Sequence, residues 1–173
     1  LSLARFSLAC GKKHWPAMPA PTFIRRVVPP TTQEFEQALM VQVNRYRVRQ
    51  GFLPVANHEG LYRAAYAHAS EMCRKQKLMH ISKSSGNPQD RLKSAKVKDF
   101  YLVAENVGSG ESPSAILDAW IKSAGHRINL QLAKVTHGAV GVCRVEQSDS
   151  SVVYYATLLM VNFKKKADKT QNP

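Results

Sequence analysis

Four short polar segments of this 173-residue chain hold its chemistry-bearing side chains. They are Met79-His80, Ala104-Glu105-Asn106-Val107, the run from Trp120 to Arg127, and Thr136-His137-Gly138-Ala139-Val140-Gly141-Val142. Each stands close to the end of an expected helix or strand. Imidazole and carboxylate groups of this kind ligate divalent metals and carry protons. Other chemistries lack their residues. No Ser-His-Asp or nucleophilic Cys arrangement is visible, and there is no Gly-rich phosphate loop, zinc-finger spacing or RNA-recognition aromatic motif. Sequence-specific reading of nucleic acid is therefore unsupported. His58 and His68 have no ligand-spaced partner and read as surface or satisfied core histidines.

The elements that must position these segments follow from patterning. Thr31 to Glu34 has the spacing of a capping box, and Phe35, Leu39, Val43 and Tyr46 recur at helical spacing until Gly51 and Pro54. A second helix is predicted from about His58 to Lys77, with Leu61, Ala64, Ala65, Ala69 and Met72 inward. Residues 84–88 form a loop, and a short helix follows from about Asp90. Residues 101–107 read as a short strand. Ser112-Pro113 opens another helix that buries Ile116, Ala119 and Trp120 and ends near Gly125. Residues 139–145 and 152–163 make a hairpin around the turn at 147–150. Helices first and strands last, with few βαβ crossovers, predict an α+β sandwich.

Charge divides the chain into three parts. The net charge is +13, of which residues 1–33 carry +5 and residues 164–173 carry +3. The first part is acid-free and, from Pro16 to Pro30, contains five prolines, so it reads as an extended basic arm in the style of an organellar transit segment. Residues 34–163 read as the globular domain, and 164–173 as a Lys-rich tail. A composition of 44% hydrophobic residues excludes disorder of the whole chain, and no apolar run approaches the length of a membrane span. Lys93, Lys96 and Lys98 extend a basic strip on the domain. Three cysteines, Cys10, Cys73 and Cys143, are too few for a disulfide-dense scaffold. Whether Cys73 and Cys143 pair or are two buried thiols stays open at this level.

The four polar segments, in this order and spacing, resemble the CAP superfamily: cysteine-rich secretory proteins, insect venom antigen 5, plant pathogenesis-related type 1 proteins and their shorter bacterial relatives. Val43-Asn44-Arg45-Tyr46-Arg47 with Gly51 is similar to the family's opening motif, and Ala104-Glu105-Asn106-Val107 is similar to its Gly-Glu-Asn motif. Trp120-Ile121-Lys122-Ser123-Ala124-Gly125-His126-Arg127-Ile128-Asn129-Leu130 resembles the short bacterial-style branch most. The resemblance covers residues 34–163. It implies a three-layer α-β-α sandwich around a small antiparallel sheet. It also carries over a cleft in which His80, Glu105 and His126 match three of four metal-cleft residues of the eukaryotic branch. The fourth position, an acid in that branch, falls near Ser123, so the set is incomplete.

Two His and one Glu form a chemically sound zinc set with an open position for water. With Ser123 in place of the second acid, no general base is evident. The expectation is therefore a non-catalytic module without a cofactor, with zinc at His80, Glu105 and His126 as the exception. Its simplest alternatives are that Glu105 accepts from a buried donor, that His80 caps the second helix or bonds the strand of Glu105, and that Trp120 is core. The tails point to an accessory subunit of a large mitochondrial assembly, a ribosome or respiratory membrane complex. They would attach it through residues 1–33 and 164–173, with RNA phosphate or anionic lipid contacts. The alternative is a secreted protein that binds sterol or another lipid. A weaker alternative is a zinc-dependent hydrolase.

Overall fold

The computed structural model describes residues 29–163. The arm up to residue 28 and the tail from residue 164, with the attachment roles expected of them, lie outside the described residues.

The first helix, α1, spans Thr32–Arg49. Thr31 Oγ1 accepts from the Glu34 amide at 3.2 Å, and the Glu34 carboxylate accepts from the Thr31 amide at 2.8 Å, so the capping box forms. Such a cap stabilises a helix by about 1 kcal/mol. Gly51 follows at φ +82°, a conformation glycine adopts without strain. A two-residue strand, β1 (Ala56–Asn57), leads into α2 (Glu59–Lys75). His58 starts that helix, its Nδ1 accepting from the Leu61 amide at 3.3 Å. Asn87 and Asp90 form a second capping box around Pro88, so α3 (Pro88–Ser94) begins two residues earlier than the sequence reading placed it. The chain then runs through β2 (Phe100–Gly110), α4 (Pro113–Lys122), α5 (Ala124–Leu130), β3 (His137–Glu146) and β4 (Val152–Phe163).

The sheet order is β1-β3-β4-β2. β2, β4 and β3 pair antiparallel, as expected, and the short β1 adds a parallel edge beside His137 and Gly138. The period-2 alternation of β4 builds both sides of the core. Tyr154, Ala156, Leu158 and Met160 face α1 and α4, packing with Phe35, Leu39, Val43, Ile116 and Trp120. Tyr155, Leu159 and Val161 face α2 and α3, packing with Leu61, Ala65, Met72 and Leu92. A sheet covered on both faces explains why Val152–Val161 is nearly continuous in apolar residues. The fold is the expected α-β-α sandwich.

Two details differ from the sequence reading. On α4 it is Leu117, not Ala119, that is buried beside Ile116 and Trp120. The single helix expected to end near Gly125 is instead two, α4 ending at Lys122 and α5 following from Ala124. Ser123 breaks the first helix in an extended conformation and starts the next without a side-chain cap, so no capping signal announced α5.

Cys73 on α2 and Cys143 on β3 form a disulfide, with Cα atoms 6.1 Å apart. The same pair of elements meets at Gly141. A Cβ there would lie 2.1 Å from the Tyr66 amide nitrogen, so α2 rests directly on the backbone of β3.

Candidate functional site

The site forms at β2, the edge strand opposite β1. Glu105 lies across from Leu159 in the ladder and projects into the α2–α3 layer. Asn106, next along, projects to the other face. The loop from Met79 to Gly86 reaches this edge from one layer and α5 reaches it from the other.

Glu105 is buried, and both of its oxygens are engaged. Oε2 accepts from Arg91 Nη2, whose side chain is also buried. Oε1 accepts from His80 Nδ1 at 2.9 Å. A carboxylate only accepts, so His80 holds a proton on Nδ1. The His80 ring is half exposed. The His126 ring lies with its centroid 6.0 Å away. Burial, then the neighbouring His80, holds the His126 pKa below its ordinary value.

Asn106 and Asn129 tie α5 to the strand. Asn106 Nδ2 donates to the His126 carbonyl at 3.0 Å, and Asn129 Nδ2 donates to Asn106 Oδ1 at 2.9 Å and to the Glu105 carbonyl at 3.0 Å. Arg127 closes the α4–α5 junction by donating to the Ile121 carbonyl at 2.7 Å. Trp120 is core, and its Nε1 donates to the Val107 carbonyl at 2.9 Å. His137 lies elsewhere, against Phe163 and His58 at the end of β4.

The three residues expected to form the cleft therefore come together, but in different roles. Among the described residues no three His, Cys, Asp or Glu side chains converge to hold a metal ion. Glu105 commits its charge to Arg91 and orients His80, the task a carboxylate has behind a ligand rather than as one. His80 Nε2 and His126 are left as two nitrogens, and Ser123 supplies no third group. As arranged, the residues do not fit a three-ligand zinc centre.

The sequence reading missed two partners. Arg91, on α3, is the buried donor for Glu105. Its Nη1 also donates to the Gly86 carbonyl at 2.8 Å and its Nη2 to the His80 carbonyl at 3.1 Å. Glu71, on α2, holds the loop in place by accepting from the hydroxyls of Ser82, Ser84 and Ser85, and pairs along its own helix with Lys75 at 2.5 Å. Burial alone would raise the Glu71 pKa, yet Lys75 and the three hydroxyls outweigh it and hold the carboxyl well below its ordinary value. The run Ser82, Ser84, Ser85 was legible only as a polar loop.

A groove of about 1230 Å³ opens on the far side of α2, between it and α1. Met40, Val41, Val48, Val55, Ala139 and Val140 give it apolar walls, and Arg45, Arg49, His58 and Glu59 add charged and polar groups. Glu36 also lines it, accepting from the Val142 amide at 2.8 Å. Burial raises the Glu36 pKa, against the hydrogen bonds from Val142 and the Tyr62 hydroxyl.

The family model of CAP, the cysteine-rich secretory protein family, matches residues 41–159. The chain is a CAP protein. The match embraces α2 to β3 whole, and with them His80, Arg91, Glu105 and His126. YkwD of Bacillus subtilis is 30% identical over 127 residues, which are 73% of this chain and 49% of that protein. The membrane protein YlbC of the same organism is 31% identical over 111 residues, 63% of this chain and 32% of that one. This CAP chain thus spans half or less of these curated relatives. Among solved structures, an extracellular protein containing an SCP domain from Bacillus anthracis is 27% identical at a TM-score of 0.63, covering 79% of this chain and 45% of that one. An outer surface protein of Borrelia burgdorferi, 18% identical, shares the fold at a TM-score of 0.65, covering 78% of this chain and 97% of that one. The short bacterial-style branch is therefore the right one. No described helix is long and apolar enough to cross a membrane.

Proposed function

We propose that this CAP domain is a non-catalytic binding module of an exported or surface-displayed protein, and that it holds a lipid in the groove between α1 and α2. The observation that carries this reading is the groove itself. Val41 and Val48 stand one above the other on α1, both largely exposed, over walls of Met40, Val55 and Val140. Exposed apolar area of this kind, with cations and hydrogen-bonding groups beside it, suits an acyl chain or sterol with a polar head.

Export is supported by the Cys73–Cys143 disulfide, because such bonds persist in oxidising compartments. The extracellular and surface descriptions of the B. anthracis and Borrelia relatives point the same way. The mitochondrial assembly expected from the tails gains no support from these relatives. The absence of catalysis is supported by Glu105, whose carboxylate is committed to Arg91 and His80, so that it is not free to act as a base. His80, Glu105 and Arg91 then act as a clasp that fixes the edge of the sheet, and the cleft works without zinc.

The test is displacement of a fluorescent sterol or fatty acid from the full chain. The Val41→Asp/Val48→Asp variant changes two exposed positions and leaves the core intact. We expect it to bind at least about tenfold more weakly, since each buried methylene contributes about 0.8 kcal/mol. Equal binding by the variant, or none by the wild type, overturns the reading. Metal analysis of the wild type against His80→Ala/His126→Ala checks the zinc-free cleft, and stoichiometric zinc in the wild type alone would overturn that part.

A further inference from the structure

Besides the groove, α2 borders a smaller cavity of about 540 Å³ toward α3, whose Arg63 and Arg91 are already paired with Glu59 and Glu105. Unpaired cations gather instead at the end of α2 and on the loop that follows it. Gln76 ends the helix in a left-handed conformation, φ 47°, and turns the chain toward His80.

The inner side of this loop is held throughout. A carbonyl only accepts, so His68 Nε2 donates to the Met79 carbonyl at 2.7 Å, and Arg91 Nη2 donates to the His80 carbonyl at 3.1 Å. Ser82 and Gly86 exchange backbone hydrogen bonds at 3.0 and 2.9 Å, and Glu71 accepts from the three serine hydroxyls. The Met79 side chain packs inward beside Met72, Val107 and Tyr155. His68, Glu71 and Arg91 are themselves buried, so the loop is fixed from behind.

Its outer side differs in kind. Leu78 is 42% exposed and Ile81 75%. Arg74, Lys77 and Lys83 are exposed and make no ion pair among the described residues, whereas Lys75 pairs with Glu71. No acid stands in the sequence between Glu71 and Asp90. A lone exposed aliphatic side chain is ordinary. Two together, on a rigid loop and bracketed by unpaired cations, fit a partner that offers apolar depth and negative charge at once. We propose that this loop docks the protein onto an anionic lipid surface. Leu78 and Ile81 enter the boundary between headgroups and acyl chains, and Arg74, Lys77 and Lys83 lie against the headgroup phosphates. A soluble polyanion would match the cations and leave both aliphatic side chains in water. Because the backbone is held before contact, docking carries little ordering cost. The groove begins at the other end of α2, at His58, Glu59 and Tyr62, and the docking loop does not depend on what the groove holds.

The experiment is sedimentation of the full chain with vesicles of phosphatidylglycerol and phosphatidylcholine in equal parts, against phosphatidylcholine alone. We expect binding to the mixed vesicles and little to phosphatidylcholine. The segments outside the described residues are also basic, so two matched comparisons isolate the loop. Leu78→Ser/Ile81→Ser keeps every charge and should weaken binding at least about tenfold through lost aliphatic burial. Arg74→Gln/Lys77→Gln/Lys83→Gln should weaken it on the order of a hundredfold, at about fivefold per cation near the surface. Lys93→Gln/Lys96→Gln/Lys98→Gln removes the same charge from α3 and the residues after it, and should weaken binding less than about tenfold. All eight positions are exposed, so thermal melts of the variants should match the wild type. Equal binding to phosphatidylcholine alone, undiminished binding by Leu78→Ser/Ile81→Ser, or equal losses from the two charge variants overturns the proposal. Retention on soluble polyphosphate without vesicle binding also overturns it and assigns the cations to an anionic polymer.

Discussion

Reducing the Cys73–Cys143 disulfide tests the largest single constraint on this domain. The bond closes a loop with a sequence separation of 70, which contains all of α3, β2, α4 and α5. A cross-link of that span removes loop entropy from the unfolded chain worth about 4 kcal/mol at 25 °C. At about 2.1 cal/mol/K of unfolding entropy per residue, that corresponds to a fall in Tm of roughly 15 °C for a domain of this size. The assay is urea and thermal unfolding of the wild type with and without reductant, beside the Cys73→Ser/Cys143→Ser variant. A thiol count on the denatured chain accompanies it. The sequence holds three cysteines, so the oxidised chain should titrate one thiol and the reduced chain three. The variant should melt like the reduced wild type and be indifferent to reductant. Three reactive thiols in protein purified without reductant, or a stability change below about 1 kcal/mol, would refute both the cross-link and the argument for export that leans on it.

Three further outcomes are expected. Arg47 is wholly buried and has no acid partner among the described residues; it donates to the carbonyls of Leu53 at 2.9 Å, Leu130 at 2.7 Å and Leu132 at 3.2 Å. Arg47→Met leaves those carbonyls unpaired and should cost about 3–5 kcal/mol in chemical denaturation, with Arg47→Lys recovering part of it. Gly141→Ala places a methyl against the rigid backbone of α2 and should cost about 3 kcal/mol or prevent folding, whereas Gly125→Ala meets nothing within 4 Å and should be mild, which a pair of thermal melts separates. His58, His68 and His126 all have folded pKa values below the ordinary 6.5, so the unfolded chain binds protons first. Stability should therefore fall as pH drops below about 6.5, and His68→Asn should flatten that slope in urea midpoints measured from about pH 7.5 to 5.

Elements announced by local chemistry were readable from the sequence. The Thr31–Glu34 box, the Pro113 start and the polar turn at 147–150 marked α1, α4 and the hairpin. β1 was missed because two residues carry no periodicity, and its pairing depends on where β3 lies in space. α5 was missed because Ser123 makes no capping hydrogen bond. The site was legible as far as family likeness reaches, which placed His80, Glu105 and His126 near one another. It was silent on Arg91 and Glu71, whose partners lie up to 14 residues away, on a strand and in a loop with no period of its own. Long-range pairing of a buried charge is decided by tertiary geometry, and nothing in the spacing of Arg91 distinguishes it from a surface helix cation.

The seating of α2 on β3 at Gly141 also fixes the wall that stands between the two cavities flanking this helix. Tyr62 on one flank of α2 lines the groove, and Arg63, Ala64, Ala67 and His68 on the other line the smaller cavity. A helix free to slide or roll could act as a lever, closing one chamber as the other filled. This one has no play: bare backbone abuts bare backbone at Gly141, and further along the same helix Cys73 is bolted to Cys143. The helix is a bulkhead. Ligand taken up in the groove is therefore expected to leave the opposite flank of α2 unmoved.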